Sequence, residues 1–283
     1  MDFFDLHCDT AYECYVNKKD FYSDSLAVSA QSASSFGNWT QTFAVWIKDT
    51  CENPFSLYRN ILGSFKATLK TKPKNLTPLF SVEGGAVIEN DSDRLFILKQ
   101  DEIKFLSLTW NGENLLAGGT ACEKSLTPLG KEVINKMNRL KIGCDLSHLN
   151  RKSFFKALEY SDYPLCTHSN LCEIKNHSRN LTDTQINALV QKGGIIGLCF
   201  YPDFLKADVF EGIWQNIFHL LSKGFEDNIA IGSDFDGGKM SPILQNSAQI
   251  PTLYSFLESK GLKKEVLDKI FSLNANKFIA KLK

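Results

Sequence analysis

A single-domain (β/α)8 barrel of the TIM type, in the α/β class, is the fold this sequence predicts, and three observations carry the prediction. Eight short runs of apolar and β-branched residues alternate with longer stretches whose apolar positions follow helical spacing, a pattern that implies βαβ units and a parallel sheet. Eight such units in 283 residues match the roughly 250 residues typical of the barrel. No low-complexity linker and no repeat divides the chain, so one domain over residues 1–283 is expected. An open, doubly wound sheet is the alternative architecture. The Gly-x-Gly-x-x-Gly fingerprint of its dinucleotide-binding version does not follow the first strand.

In chain order, the strands are expected at 3–7, 42–47, 77–82, 103–109, 142–146, 164–167, 194–199 and 228–232. Leu57, Ile61, Leu62, Phe65 and Leu69 mark an amphipathic helix between the second and third. Before the fifth, Thr127-Pro128 places a capping hydroxyl ahead of a proline suited to the first helical position, and Val133, Ile134, Met137 and Leu140 follow. Thr182-Asp183-Thr184-Gln185 reads as a capping box opening a helix with Ile186, Leu189 and Val190. Phe210, Ile213, Ile217, Leu220 and Leu221 form the helical stripe before the eighth strand.

Composition narrows the function. Hydrophobic content of 43% with 23% charged residues is ordinary for a soluble globular protein. The formal net charge is zero, with 32 basic and 32 acidic residues and no basic block, which argues against nucleic-acid or anionic-membrane binding. No apolar run approaches the about 20 residues of a membrane helix. Candidate ligands begin at residue 7, so no cleavable signal peptide is expected before them, and the C-terminus is no lipid-anchor signal. The eight cysteines are scattered without a Cys-x-x-Cys pair, pointing to reduced, mostly structural thiols and a cytoplasmic setting.

In such a barrel the chemistry sits at the C-terminal ends of the strands. Strand 1 ends in His7-Cys8-Asp9, whose imidazole and carboxylate can converge on one divalent metal, although an isolated His-x-Asp also occurs at ordinary strand–loop junctions. Strand 3 ends with Glu83, followed by two glycines that permit a tight turn. Strands 5 and 6 end with His148 and His168, and strand 8 with Asp234 and Asp236. Three histidines with an Asp and a Glu exceed the first shell of one tetrahedral zinc and suit two zincs about 3.5–4 Å apart with a bridging carboxylate. Taken singly, Glu83 could cap a helix and His168 could be a hydrogen-bonded loop residue. His219, mid-helix, reads as packing or surface, and His177 as an ordinary loop residue that could touch substrate.

Taken in order, His7-x-Asp9, Glu83-Gly84-Gly85, Asp145-Leu146-Ser147-His148, Thr167-His168-Ser169, Ser178-Arg179-Asn180-Leu181-Thr182-Asp183 and Ser233-Asp234-Phe235-Asp236-Gly237 resemble the membrane (renal) dipeptidase family of binuclear zinc peptidases. The resemblance runs nearly end to end, to a bacterial-type cytosolic member. It implies the same barrel, two Zn2+ per chain and a small peptide substrate, with a homodimer as the family's expected assembly. It assigns His7 and Asp9 to one zinc, His148 and His168 to the other, and Glu83 as the bridge. Manganese or iron would also accept these nitrogens and oxygens. By the same resemblance Arg179 holds the substrate carboxylate and Asp234 handles the proton of the bridging water.

One position departs from the family pattern. Where members commonly have Leu-Thr-His after strand 4, with the histidine on the scissile carbonyl oxygen, this chain reads Leu108-Thr109-Trp110-Asn111. An indole has one N–H donor and no titratable group. Trp110 is therefore expected at the substrate, either donating to the oxyanion or packing the pocket wall. The expected activity is dipeptide hydrolysis, extending to substrates with a C-terminal D-residue. A second enzymatic reading is an amidohydrolase-type hydrolase of a small amide or ester, though those usually carry His-x-His on strand 1. A third is a metal- or peptide-binding protein that has lost turnover, for which Trp110 is the support.

Overall fold

The computed structural model describes residues Met1–Lys283. Its eight strands are β1 (Phe3–Cys8), β2 (Trp39–Trp46), β3 (Leu76–Glu83), β4 (Ile103–Ser107), β5 (Gly143–Asp145), β6 (Pro164–Leu165), β7 (Ile196–Leu198) and β8 (Ile229–Ile231). All pair in parallel, in the order β6-β5-β4-β3-β2-β1-β8-β7. A bridge between Cys166 and Ile196 joins the two ends: Cys166 N donates to Ile195 O at 3.0 Å and Gly197 N donates to Cys166 O at 2.8 Å. The ring closes there, which rules out the open sheet.

Strands β5 to β8 are shorter than their apolar runs. Ile142, Leu146, Thr167 and Cys199 are fully buried but lie outside the ladders. Apolar content reports burial, whereas a strand also needs a neighbour running alongside it. β2 instead starts earlier, at Trp39, because its register with β1 begins at Phe3.

The helices α1 (Thr10–Asn17), α2 (Pro54–Thr68), α3 (Arg94–Gln100), α4 (Pro128–Leu140), α5 (Arg151–Tyr160), α6 (Asp183–Gln191), α7 (Val209–Ser222) and α8 (Ile250–Ser259) follow the strands in turn. Lys264–Asp268 and Asn274–Ala280, joined by a π turn, complete the chain. The caps act as the sequence implies. The Thr127 hydroxyl accepts from Gly130 N at 3.0 Å, and Gln185 N donates to Thr182 Oγ1 at 3.3 Å while Gln185 Oε1 accepts from Thr182 N at 3.1 Å. α1 and α3, at eight and seven residues, are too short for apolar spacing to declare them. No helix is long and apolar enough to cross a membrane.

Two apolar clusters set where the chemistry can be. The larger lies between strands and helices. The smaller joins Phe4 and Leu6 of β1, Phe105 of β4, Leu165 of β6 and Ala230 of β8 with Phe278 and Leu282. Strands that are not neighbours can meet only across the barrel interior, so these side chains form its floor, closed from below by the C-terminal helix. Truncating Phe278 to alanine would cost about 3–5 kcal/mol. With the floor apolar, the polar interior side chains gather at the opposite, carboxyl end of the strands.

Candidate active site and metal centre

His7 leaves the end of β1 where the β1–β2 register shifts between Asp5 and Cys8, an irregularity of the kind that re-aims side chains at barrel rims. Glu83 is the last residue of β3. Gly84 follows with φ +113°, and a Cβ there would collide with the Ile47 carbonyl oxygen, so only glycine lets the chain turn away beneath the carboxylate. Asp234, just beyond β8, has φ +63° and is held there as its N–H donates to His7 O at 3.1 Å. A Cβ on Gly237 would strike both the Asp9 and Asp234 carboxylates, which sit side by side only because that position is glycine.

The structure brings the five expected ligands together. Glu83 divides its oxygens: Oε2 lies 3.5 Å from His7 Nε2, while Oε1 lies 2.5 Å from His148 Nε2 and 3.6 Å from His168 Nε2. His7 Nε2 is also 3.5 Å from Asp9 Oδ2 and 3.9 Å from Asp234 Oδ1. Two ligand groups result, His7–Asp9–Glu83 and His148–His168–Glu83, sharing the one carboxylate.

Hydrogen bonds around the ring nitrogens fix the tautomers. Asn111 Oδ1, which accepts from Thr120 Oγ1 at 3.1 Å, lies 2.9 Å from His148 Nδ1 and accepts its N–H, which keeps the proton on Nδ1. Thr167 Oγ1 donates to Asp145 Oδ2 at 2.6 Å and so accepts from His168 Nδ1 at 2.8 Å. The two Nε2 atoms then present lone pairs 2.8 Å apart, that of His148 meeting only Arg179 Nη2 at 3.3 Å. His7 Nε2 and Asp9 Oδ1 are buried without any hydrogen-bond partner. Converging lone pairs, orphaned polar atoms and oriented imidazoles fit divalent transition-metal ions.

The electrostatics show the same unmet demand for positive charge. Burial pushes the Asp9 carboxyl up to about 8, with Glu83 adding to it. Burial raises Asp234 to about 6, opposed by His7 and reinforced by Glu83. Burial also works against charge on Glu83, but His148 and His7 outweigh it and hold that carboxyl well below its ordinary range. His168 is driven well below an ordinary imidazole by burial and by His7 and His148.

These groups floor a cleft of about 730 Å3. Arg179, 5% exposed, reaches it from the loop after β6. Its guanidinium donates to the carbonyls of Ser147 and His168, lies 3.3 Å from His148 Nε2 and stacks over Phe204 at 5.4 Å, but pairs with no carboxylate of the protein. A buried guanidinium without an anion costs several kcal/mol, and this one faces the cleft with its charge unpaired. Trp110 lines the cleft with its ring 6.4 Å from that of His148. His177, expected as an ordinary loop residue, also lines the cleft, packed on Phe204 at 4.8 Å. His219 lies elsewhere, its Nε2 2.8 Å from Asp183 Oδ1.

Sequence reasoning missed Trp46 and Tyr12, which line the same cleft. Trp46 is the last residue of β2, the position that yielded ligands on other strands, and an aromatic there was the available signal. It also missed Cys199, whose sulfur is 3.5 Å from Asp234 Oδ2.

A model of the membrane dipeptidase family, peptidase family M19, matches residues 4–282. The chain belongs to this family. It is accordingly a hydrolase, a metallopeptidase of the dipeptidase type. An uncharacterised protein of Klebsiella pneumoniae is 30% identical over 71% of this chain and 80% of its own length. Dipeptidase tcpJ of Claviceps purpurea is 27% identical over 69% of this chain, which spans about half (48%) of that protein. Two solved structures share the fold. The dipeptidase AC, an M19 metallopeptidase, has TM-score 0.90 and 21% identity, covering 99% of this chain and 98% of its own. A metallopeptidase of Rhodobacter sphaeroides, liganded with a phosphinate mimic of the dipeptide L-Ala-D-Ala, has TM-score 0.88 and 20% identity, covering 100% and 99%.

Proposed function

We propose that this family member hydrolyses dipeptides bearing a free C-terminal carboxylate, with two zinc ions held by His7 and Asp9, by His148 and His168, and by Glu83 between them. The division of the two Glu83 oxygens, one toward His7 and the other toward His148 and His168, carries this reading. Nitrogen-rich, carboxylate-bridged ligation favours zinc, with manganese or iron as substitutes. Two bound cations would supply a water of near-neutral pKa and polarise the scissile carbonyl.

The chain's own residues do the rest. Asp234, beside His7 and raised to about 6, is ionised near neutral pH and takes the proton of the attacking water. The same carboxyl then returns the proton to the leaving amine. Arg179 pairs its planar fork with the substrate carboxylate, which fixes the scissile bond over the ligands and disfavours longer chains. Asn111 and Thr167 keep His148 and His168 in the tautomer that presents Nε2.

The Rhodobacter sphaeroides complex supports extending the substrate range to a C-terminal D-residue. Eight free cysteines suit a reducing compartment and a cytoplasmic enzyme. The test is a dipeptide panel, L,L and L,D, presented to zinc-reconstituted protein. Hydrolysis restricted to dipeptides with a free carboxylate is expected, and no hydrolysis across the panel overturns the proposal.

A further inference from the structure

Three aromatic side chains form a continuous wall on one side of the cleft. Tyr12 and Trp46 meet edge to face at 4.8 Å, Trp46 and Trp110 edge to face at 5.2 Å, and Trp110 continues to His148. All three line the cleft and are only partly buried. Of the indoles, that of Trp39 alone donates to a protein acceptor, Gln41 Oε1 at 3.2 Å, so Trp46 and Trp110 keep their N–H groups unbonded within the protein.

The barrel order gives this wall its place relative to Arg179. In the ring, β2 and β6 lie four strands apart in either direction, so Trp46 at the end of β2 stands across the mouth from Arg179 after β6. The ligand cluster lies between them. A substrate whose carboxylate sits on Arg179 and whose amide lies over the cluster must carry its first residue toward β1 and β2. Two extended residues span about 7 Å, enough to cross the cluster and no more.

We infer that the Tyr12–Trp46–Trp110 wall is the specificity surface for the N-terminal residue of the substrate, and that it selects dipeptides beginning with an aromatic side chain. This rests on the dipeptidase reading above and names its substrate class. Aromatic rings pack edge to face or offset on such a wall, gaining interaction beyond their buried area. A lysine or arginine side chain would also stack on indoles, but its head must give up hydration to do so and gains most where a carboxylate is free to turn to it. Glu13 is already paired with Lys19 at 2.9 Å, and Asp236 already accepts from Thr10 Oγ1, Ala27 N and Val28 N at 2.6, 2.8 and 3.2 Å. The wall therefore favours a neutral ring over a cation.

The test uses phosphinate analogues of Phe–Ala, Ala–Ala, Lys–Ala and Ala–Phe, titrated calorimetrically into zinc-reconstituted protein. The Phe–Ala analogue should bind about 10–100-fold more tightly than Ala–Ala, and more tightly than Lys–Ala or Ala–Phe. Trp46→Leu should bring the Phe–Ala to Ala–Ala ratio to near unity, and Trp46→Phe should restore most of it. Equal affinities in the unmutated protein, or tightest binding by Lys–Ala or Ala–Phe, overturn the inference without recourse to any variant. Parallel hydrolysis assays separate the two readings. Selective binding without hydrolysis of any dipeptide removes the dipeptidase proposal and keeps the wall; hydrolysis with no preference at the first residue does the reverse.

Discussion

Thr167→Val removes a hydroxyl that is itself no ligand, yet holds the ligand candidate His168 in place. In the structure that hydroxyl donates to Asp145 Oδ2 at 2.6 Å and accepts from His168 Nδ1 at 2.8 Å. Valine is close to isosteric, so the change deletes two hydrogen bonds with little change in packing. Asp145 keeps the Ser147 hydroxyl at 2.6 Å and two backbone N–H donors on Oδ1, while its buried Oδ2 loses its one donor and adds to the cost in stability. His168 has no substitute: its Nδ1–H becomes a buried donor without an acceptor, costing about 1–3 kcal/mol. The imidazole can relieve this by flipping or changing tautomer, and either removes Nε2 from the cluster. Loss of such outer partners costs about 10–100-fold in metal affinity. Zinc titration by calorimetry should show one of the two sites weakened by that factor, and urea unfolding of metal-free protein should show the lost stability. Thr167→Ser retains the hydroxyl and should restore both. Unchanged zinc affinity in Thr167→Val would refute the argument that this hydroxyl sets the tautomer.

Further outcomes follow from the same geometry. Asp234→Asn should lower kcat by about 10²–10⁴-fold while leaving analogue binding largely in place, measured by steady-state kinetics and calorimetry. C-terminally amidated dipeptides should be cleaved at least about tenfold less efficiently than the free acids, the loss lying mainly in KM, because Arg179 then loses the charge it was built to pair. Metal-free protein should lose stability as pH rises from 6.5 to 8. There the folded state keeps a proton on Asp9, raised to about 8 from 3.8, and on His7, raised well above 6.5, that the unfolded chain has released, so stability falls by at most about 1.4 kcal/mol per pH unit for each proton. Zinc-loaded protein, whose ligands are already deprotonated, should lack that decline in thermal unfolding across the same range.

The barrel and its cluster of candidate ligands are legible in the sequence because each leaves a local mark. The expected strands 3–7 and 77–82 fall within one residue of the paired segments at each end, and His7, Glu83, His148 and His168 each stand where an apolar run ends. What escaped depends on closure. The end of β2 placed Trp46 beside Trp110 only because β1 to β4 curve around one axis, and no spacing along the chain brings residues 12, 46 and 110 together. Asn111 and Thr167 lay inside quoted motifs, but their roles depend on which ring nitrogen they face. The short strands β5 to β8 show the opposite limit: burial extended beyond pairing, so their bounds were read too long.

The most direct test of the binuclear centre is to add zinc stepwise to metal-free protein while following dipeptide turnover. The shared Glu83 predicts that turnover rises to a plateau at two zinc ions per chain. A plateau at one, with further zinc neither bound nor needed, would contradict the account.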